Sequence, residues 1–204
     1  MPFLIAHALW DVAIEPPVAI AEARAAAPPD AAPPSFGPPI AHALVQLTAQ
    51  RLVEAYLYPT PFAESPSTWG PHYREAFTKR PLFDSSKPAF EWDGDSWKLN
   101  VVGHGLMGSE LYVRARSCRF GALGSLAFAA AGTVAWEYGF EANGVRPSAQ
   151  DLVYTPLAGL ALGEARYQLH RVAGGIASPG LRGFVRAVVD PFGELSRGTG
   201  LFDC

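Results

Sequence analysis

The sequence predicts an all-α fold: a helical bundle with three central Gly/Ala-rich antiparallel helices, plus N-terminal helices and a Pro/Ala linker. Two observations carry this expectation. Three long segments, 96–117, 122–141 and 149–171, are separated by connections of about four to seven residues, short enough for antiparallel neighbours. Hydrophobic residues make up 49% of the chain and charged residues only 17%, so a large core is available while the surface is short of charge. At 204 residues the chain has room for one domain with an appendage.

The elements follow in order. Residues 3–15 can form a short helix that ends at Glu15-Pro16-Pro17, because a residue before proline avoids the α region. Residues 15–39 hold eight Pro and eight Ala. Ala19 to Ala27 can be helical, whereas Pro28-Pro29 and Pro33-Pro34 read as an extended linker. Residues 1–37 are therefore expected to be a helix and a Pro/Ala-rich arm, 38–192 the bundle domain, and 193–204 a loose tail.

Residues 38–57 form a helix opened by proline, with Leu44, Leu47, Leu52 and Tyr56 close to one stripe. A short proline-led helix spans 71–79. Residues 81–95 read as loop, with one strand pair at Phe90-Glu91-Trp92 turning at Asp93-Gly94-Asp95. Ser96 can cap the first central helix. The second begins after Gly121. Pro147-Ser148 stops and caps the third, with Asp151 as the acid of a capping box. A last helix at 179–189 ends at Asp190-Pro191.

Composition excludes some classes. The formal charge is −3, so no excess of positive charge points to nucleic acid. Two cysteines rule out a disulfide scaffold or a Cys-rich zinc module. Cys118 and Cys204 are expected to be unpaired, since two distant cysteines set no framework. The apolar start lacks a basic region and is broken by His7 and Asp11, which makes a poor signal peptide. The longest uncharged apolar run, Gly121 to Trp136, is 16 residues, short for an unaided membrane span.

The central helices are notched with small residues: Gly103, Gly105 and Gly108, then Gly124, Ala127, Ala131, Gly132 and Ala135, then Gly159 and Gly163. Glycine costs about 1 kcal/mol against alanine in a helix interior, and close approach of helices is the usual compensation. Two settings supply it. One is tight packing in a water-soluble core; the other, which the low charge favours, is a membrane-embedded or membrane-docked bundle. Arg114, Arg116, Arg119, Arg166 and Arg171 fall at one end and Lys98 and Arg146 at the other, a distribution resembling a positive-inside bias. Trp69, Trp92, Trp97 and Trp136, with Tyr73, Tyr112 and Tyr138, can be interfacial anchors or bundle-end packing.

The apolar helices also carry ionisable groups at i, i+4 spacing: Asn100 and His104, Glu137 and Glu141, Asp151 and Thr155. Antiparallel topology brings His104, Glu137, Glu141 and Asp151 to one layer. Glu164 lies about 20 Å farther along and is expected to pair with Arg114, Arg116 or Arg171. Buried carboxylates must be paired, protonated or metal-bound. Three readings stand open: a polar network that fixes helix register, a catalytic site with His104 as base or nucleophile, and a site for a hard or borderline cation. The Glu-x-x-His spacing of di-iron bundles is absent, as are nucleophile-elbow, Walker, dinucleotide and His-Glu-x-x-His motifs. His72 and Glu75 read as a solvated face, His170 as surface, and His7 and His42 as core packing or lone surface histidines.

The run from Glu91-Trp92-Asp93-Gly94-Asp95 to Asn100-Val101-Val102-Gly103-His104, then Gly108-Ser109-Glu110-Leu111-Tyr112 and Arg114-Ala115-Arg116, resembles an uncharacterised bacterial domain-of-unknown-function family. So do Trp136-Glu137-Tyr138 with Glu141, Pro147-Ser148-Ala149-Gln150-Asp151, and Thr155-Pro156-Leu157-Ala158-Gly159 with Gly163-Glu164. The resemblance spans residues 68–171 and departs at Gly105, where the family usually has proline. It implies a cell-envelope protein, in some members followed by an outer-membrane-type barrel. The order of His, Glu, Ser-x-x-Asp and Gly is more loosely similar to VanZ-like membrane proteins. The leading expectation is a membrane-associated envelope module with a structural or lipid-facing role. The alternatives are an enzyme on a lipid or envelope glycan precursor, and a subunit of a larger complex held through the N-terminal arm, in a cytoplasmic or envelope setting. Cofactor and metal stay undetermined by sequence.

Overall fold

In a computed structural model the described residues are 32–200, 202 and 204. The helices expected at 3–15 and 19–27, and most of the Pro/Ala linker, lie outside them. Among the described residues the fold is all-α. The elements are α1 (Gly37–Leu57), a single turn Pro59–Phe62, α2 (Pro66–Thr78), α3 (His104–Ser117), α4 (Ala122–Ala135), α5 (Ala149–Ala158), α6 (Glu164–Ala173), α7 (Pro179–Val189) and α8 (Pro191–Thr199).

Proline in the first turn opens α1, where its missing N–H costs nothing. The three long central segments each contain a π-helical stretch: Lys98–Gly103 leads into α3, Trp136–Phe140 ends α4, and Gly159–Gly163 joins α5 to α6. Such widened turns change which side chains share a face, and they gather at functional positions. The Ser148 hydroxyl accepts the Asp151 N–H at 3.1 Å at the start of α5, as the capping pattern requires.

Helices α3, α4, α5 and the Gly159–Gly163 turn pack on one another around Met107, Leu111, Tyr112, Ala129 and Trp136, with Ala43 and Leu47 of α1 closing the core. Glycine makes this approach possible. A Cβ on Gly108 would stand 2.1 Å from the Thr155 carbonyl oxygen, and one on Gly159 2.7 Å from the Gly108 carbonyl oxygen. No real side chain tolerates either distance, so α3 and α5 cross backbone to backbone only because both positions lack one.

Three expectations change. The strand pair at 90–95 does not form; the described residues contain only an isolated bridge between Leu82 and Ser148. The segment after Asp190 is the helix α8 rather than a loose tail. Asp190 caps it through the Gly193 N–H at 3.0 Å, and Glu194 pairs with His170 and Arg186. Cys118 and Cys204 form a disulfide across 86 residues of sequence; chain distance alone hid a pairing that the return of α8 to the end of α3 creates. No helix among the described residues is long and apolar enough to cross a membrane. The arginines that suggested a topological bias are engaged internally: Arg114 with Glu110 and Asp190, Arg116 with Glu164, Arg166 with Glu110.

Candidate functional site

The π stretch ahead of α3 delivers His104, the one ending α4 delivers Glu137, and the first turn of α5 delivers Asp151. One ligand atom from each of these three buried residues lies within 4.8 Å of the others. His104, Glu137 and Asp151 are 6%, 1% and 2% exposed. His104 Nδ1 meets the Thr155 hydroxyl at 3.0 Å, and its Nε2 lies 3.5 Å from Asp151 Oδ2, beyond a good hydrogen bond. Glu137 Oε2 accepts the Ser148 N–H at 2.7 Å.

A fourth carboxylate completes the centre. Asp93 accepts from Ser148 Oγ at 2.6 Å and from Asn100 Nδ2 at 2.8 Å, and its charge lies close enough to Asp151 to raise that carboxyl. By sequence Asp93 belongs to a turn. The motif Asp93-Gly94-Asp95 was visible, but nothing local says that this turn folds back over the start of α3. Glu141, grouped with the site by its i, i+4 spacing, lies outside the three-residue set. The turn at Trp136–Phe140 is π-helical, with the Glu141 N–H donating to the Trp136 carbonyl, and the Glu141 carboxyl lies close to those of Glu137 and of Glu54 on α1.

The electrostatics are lopsided. Burial pushes the Glu137 and Glu141 carboxyls well above the usual range, with neighbouring carboxylates adding to it. Asp151 is pushed up to about 8 by burial and by Asp93. Glu54 rises to about 7 through burial, against the pull of Arg51. Burial also raises Asp93, but hydrogen bonds from Ser148, Asn100 and the Asp95 backbone outweigh it and hold Asp93 below its ordinary value. Burial lowers His104 to about 4, so its imidazole is neutral at pH 7 and cannot balance the acids. An ionised carboxylate buried without a partner costs several kcal/mol. These acids therefore hold protons or share a cation, and one imidazole nitrogen with two or three carboxylates suits a hard or borderline ion.

A second feature lies on the other side of α3. A cavity of about 730 Å³ opens between α1, α3 and the C-terminal helices, within the range of small-molecule sites. Its walls include Val45, Leu106, Met107, Leu162, Val188, Phe192 and Leu195, and its polar lining His42, Gln46, Gln50, Glu110 and Arg166. The side-chain carbonyls of Gln46 and Gln50 are buried with no hydrogen-bond partner. Leu181, Phe184 and Val188 of α7, at i, i+3 and i+7, are exposed, as are Phe192 and Leu195 of α8. The cavity rim thus runs into an exposed apolar face.

The remaining candidates sort simply. His42 is buried, 3.3 Å from Glu110. His170 is half-buried near the surface and pairs with Glu194 at 2.8 Å. Glu164 pairs with Arg116, as its distance along the helix suggested. Glu75 is an exposed partner of Lys79. Tyr112 and Trp136 are buried, and Trp136 stacks on Phe140, so neither is an interfacial anchor.

A family model described as a domain of unknown function (DUF3943) matches residues 89–192. The chain belongs to this family. The matched span begins just before Asp93 and contains His104, Glu137, Ser148, Asp151 and Thr155, so the whole acidic centre is part of the DUF3943 domain, whereas α1 and most of α8 lie outside it. No curated protein and no solved structure matches the chain.

Proposed function

We propose that this chain is a membrane-associated, lipid-facing module of the cell envelope that takes an amphiphile into the cavity between α1, α3 and α8. One observation carries the reading: an apolar cavity of about 730 Å³ whose rim continues into the exposed apolar side chains of α7 and α8. An apolar helix face of this kind lies in the plane of a membrane surface, and the adjoining cavity offers the same apolar environment to an acyl chain. The polar lining of the cavity, His42, Gln46, Glu110 and Arg166, suits a hydroxyl-bearing or amide-bearing headgroup at one end. The Cys118–Cys204 disulfide supports an oxidising compartment such as the envelope.

An enzyme with His104 as base ranks below this reading, because His104, Glu137 and Asp151 are all nearly inaccessible to a substrate. The test is binding of a fluorescent monoacyl lipid to delipidated protein, alongside co-sedimentation with vesicles. Saturable binding is expected, and Ala49→Trp, which places an indole at a lining position, should weaken it at least tenfold with the melting temperature unchanged. Binding that ignores Ala49→Trp, or absent from both assays, refutes the proposal.

A further inference from the structure

We infer that His104, Glu137 and Asp151 form a binding site for one first-row divalent transition ion, in the Mn²⁺ to Zn²⁺ class, with Asp93, Ser148 and Thr155 as the groups that orient the ligands. The site is independent of the lipid reading.

Proximity of acids alone would not carry this. The decisive feature is which atoms are left over. Glu137 Oε2 is engaged by the Ser148 N–H, while Glu137 Oε1 is buried with no partner. Asp151 Oδ1 is likewise buried and unpartnered. His104 Nδ1 is engaged by Thr155 Oγ1; as an N–H donor there, it leaves the Nε2 lone pair facing the acids. Glu137 and His104 thus each have one atom held by an outer partner and another free, and Asp151 keeps a buried carboxylate oxygen without a partner, the pattern in which outer-shell hydrogen bonds orient metal ligands. The spacing agrees. Nitrogen and oxygen ligands sit about 2.0–2.2 Å from such an ion, so two neighbouring ligands lie roughly 3.0–3.5 Å apart. His104 Nε2 and Asp151 Oδ2 are 3.5 Å apart, too far for a strong hydrogen bond and right for two ligands of one ion. Bringing in the third ligand, within 4.8 Å, needs only side-chain adjustment.

The donor set selects the ion class. Calcium and magnesium prefer all-oxygen shells, and the set contains an imidazole. It contains no thiolate, which disfavours soft ions. Two carboxylates neutralise a double charge, which removes the penalty of burying them unpaired. Asp93, engaged by Ser148 and Asn100, contributes field and orientation from outside the ligand shell.

The experiment uses the full chain, stripped with chelator and then incubated separately with Mn²⁺, Co²⁺, Zn²⁺, Mg²⁺ and Ca²⁺. Elemental analysis after gel filtration should find about one equivalent of Co²⁺ or Zn²⁺ per chain, and the same ions should raise the melting temperature by several degrees. The Co²⁺ form should show a visible absorption band. Thr155→Val, which removes only the partner of Nδ1, should weaken binding about 10- to 100-fold while the protein stays folded. Glu137→Gln should abolish the band and the thermal shift, and Glu75→Gln, on an exposed helix, should change neither. Substoichiometric metal with every ion, a preference for Ca²⁺ or Mg²⁺, or unaltered Co²⁺ affinity in folded Thr155→Val overturns the inference and leaves a proton-sharing hydrogen-bond network.

Discussion

The two ends of the central helices bury carboxylates in opposite ways. At one end Glu110 is surrounded by Arg114, Arg166 and His42, Asp190 by Arg114 and Arg197, and Glu164 by Arg116. At the other end Asp93, Glu137 and Asp151 gather at a neutral His104, and Glu141 and Glu54 adjoin Glu137, with Arg51 pairing only with Glu54 among these acids. Burial raises Glu110, but His42, Arg114 and Arg166 outweigh it and hold it down at about 2. The same desolvation carries Asp151 to about 8. One backbone scaffold thus builds a self-compensated charge network at one end and an uncompensated one at the other. A self-compensated network is complete without a ligand. An uncompensated one is where a proton or a cation must enter.

The largest expected effect comes from making the two ends alike. Arg114→Met leaves Asp190 and Glu110 without that guanidinium and should destabilise the fold by about 3–5 kcal/mol, measured by urea unfolding. Cutting the Cys118–Cys204 link, by Cys118→Ser or by reductant, should cost about 2–4 kcal/mol and loosen α8 first, seen as faster amide exchange there.

Acid should dissolve the arginine-compensated end selectively. Glu110 binds its proton less readily folded than unfolded, so its contribution is fully present above pH 4.5 and is lost as pH falls towards 2. The loss should be about 2–3 kcal/mol and should vanish in Glu110→Gln, read from melting curves across that range.

The smallest effect has the opposite sign. Glu54, raised to about 7 by burial, keeps a proton in the folded state that the unfolded chain releases above pH 4.5. Stability therefore falls as pH rises from about 4.5 to 7. Glu54→Gln should be more stable than the parent at pH 8, by about 1–2 kcal/mol, with the gain shrinking at pH 5. A Glu54→Gln gain equally large at both pH values would break the contrast between the two ends.

Periodicity and capping made much of this legible. The helix over 38–57 and the helix at 179–189 appear at the expected places. Ser148 caps Asp151, Glu164 pairs with Arg116, and His104, Glu137 and Asp151 meet. Glu141 adjoins Glu137 but lies outside the set of His104, Glu137 and Asp151, because i, i+4 spacing assumes an α-helix and the turn at Trp136–Phe140 is a π-helix. Asp93 and the disulfide were missed for a different reason. Each depends on a loop or terminal helix returning to a distant helix end, and no local pattern encodes such a return.

Residue spacing by itself determined which side chains could share a helix face and where each helix starts and stops, because both depend on neighbours within about one turn. Only tertiary packing decided which acids are compensated. That outcome turns on which arginines reach across from other helices, how closely Gly108 and Gly159 let α3 and α5 approach, and which carboxylate oxygens are left without a donor after burial. Desolvation and hydrogen bonding are properties of the assembled interior, so the contrast between the two ends exists only in the folded chain.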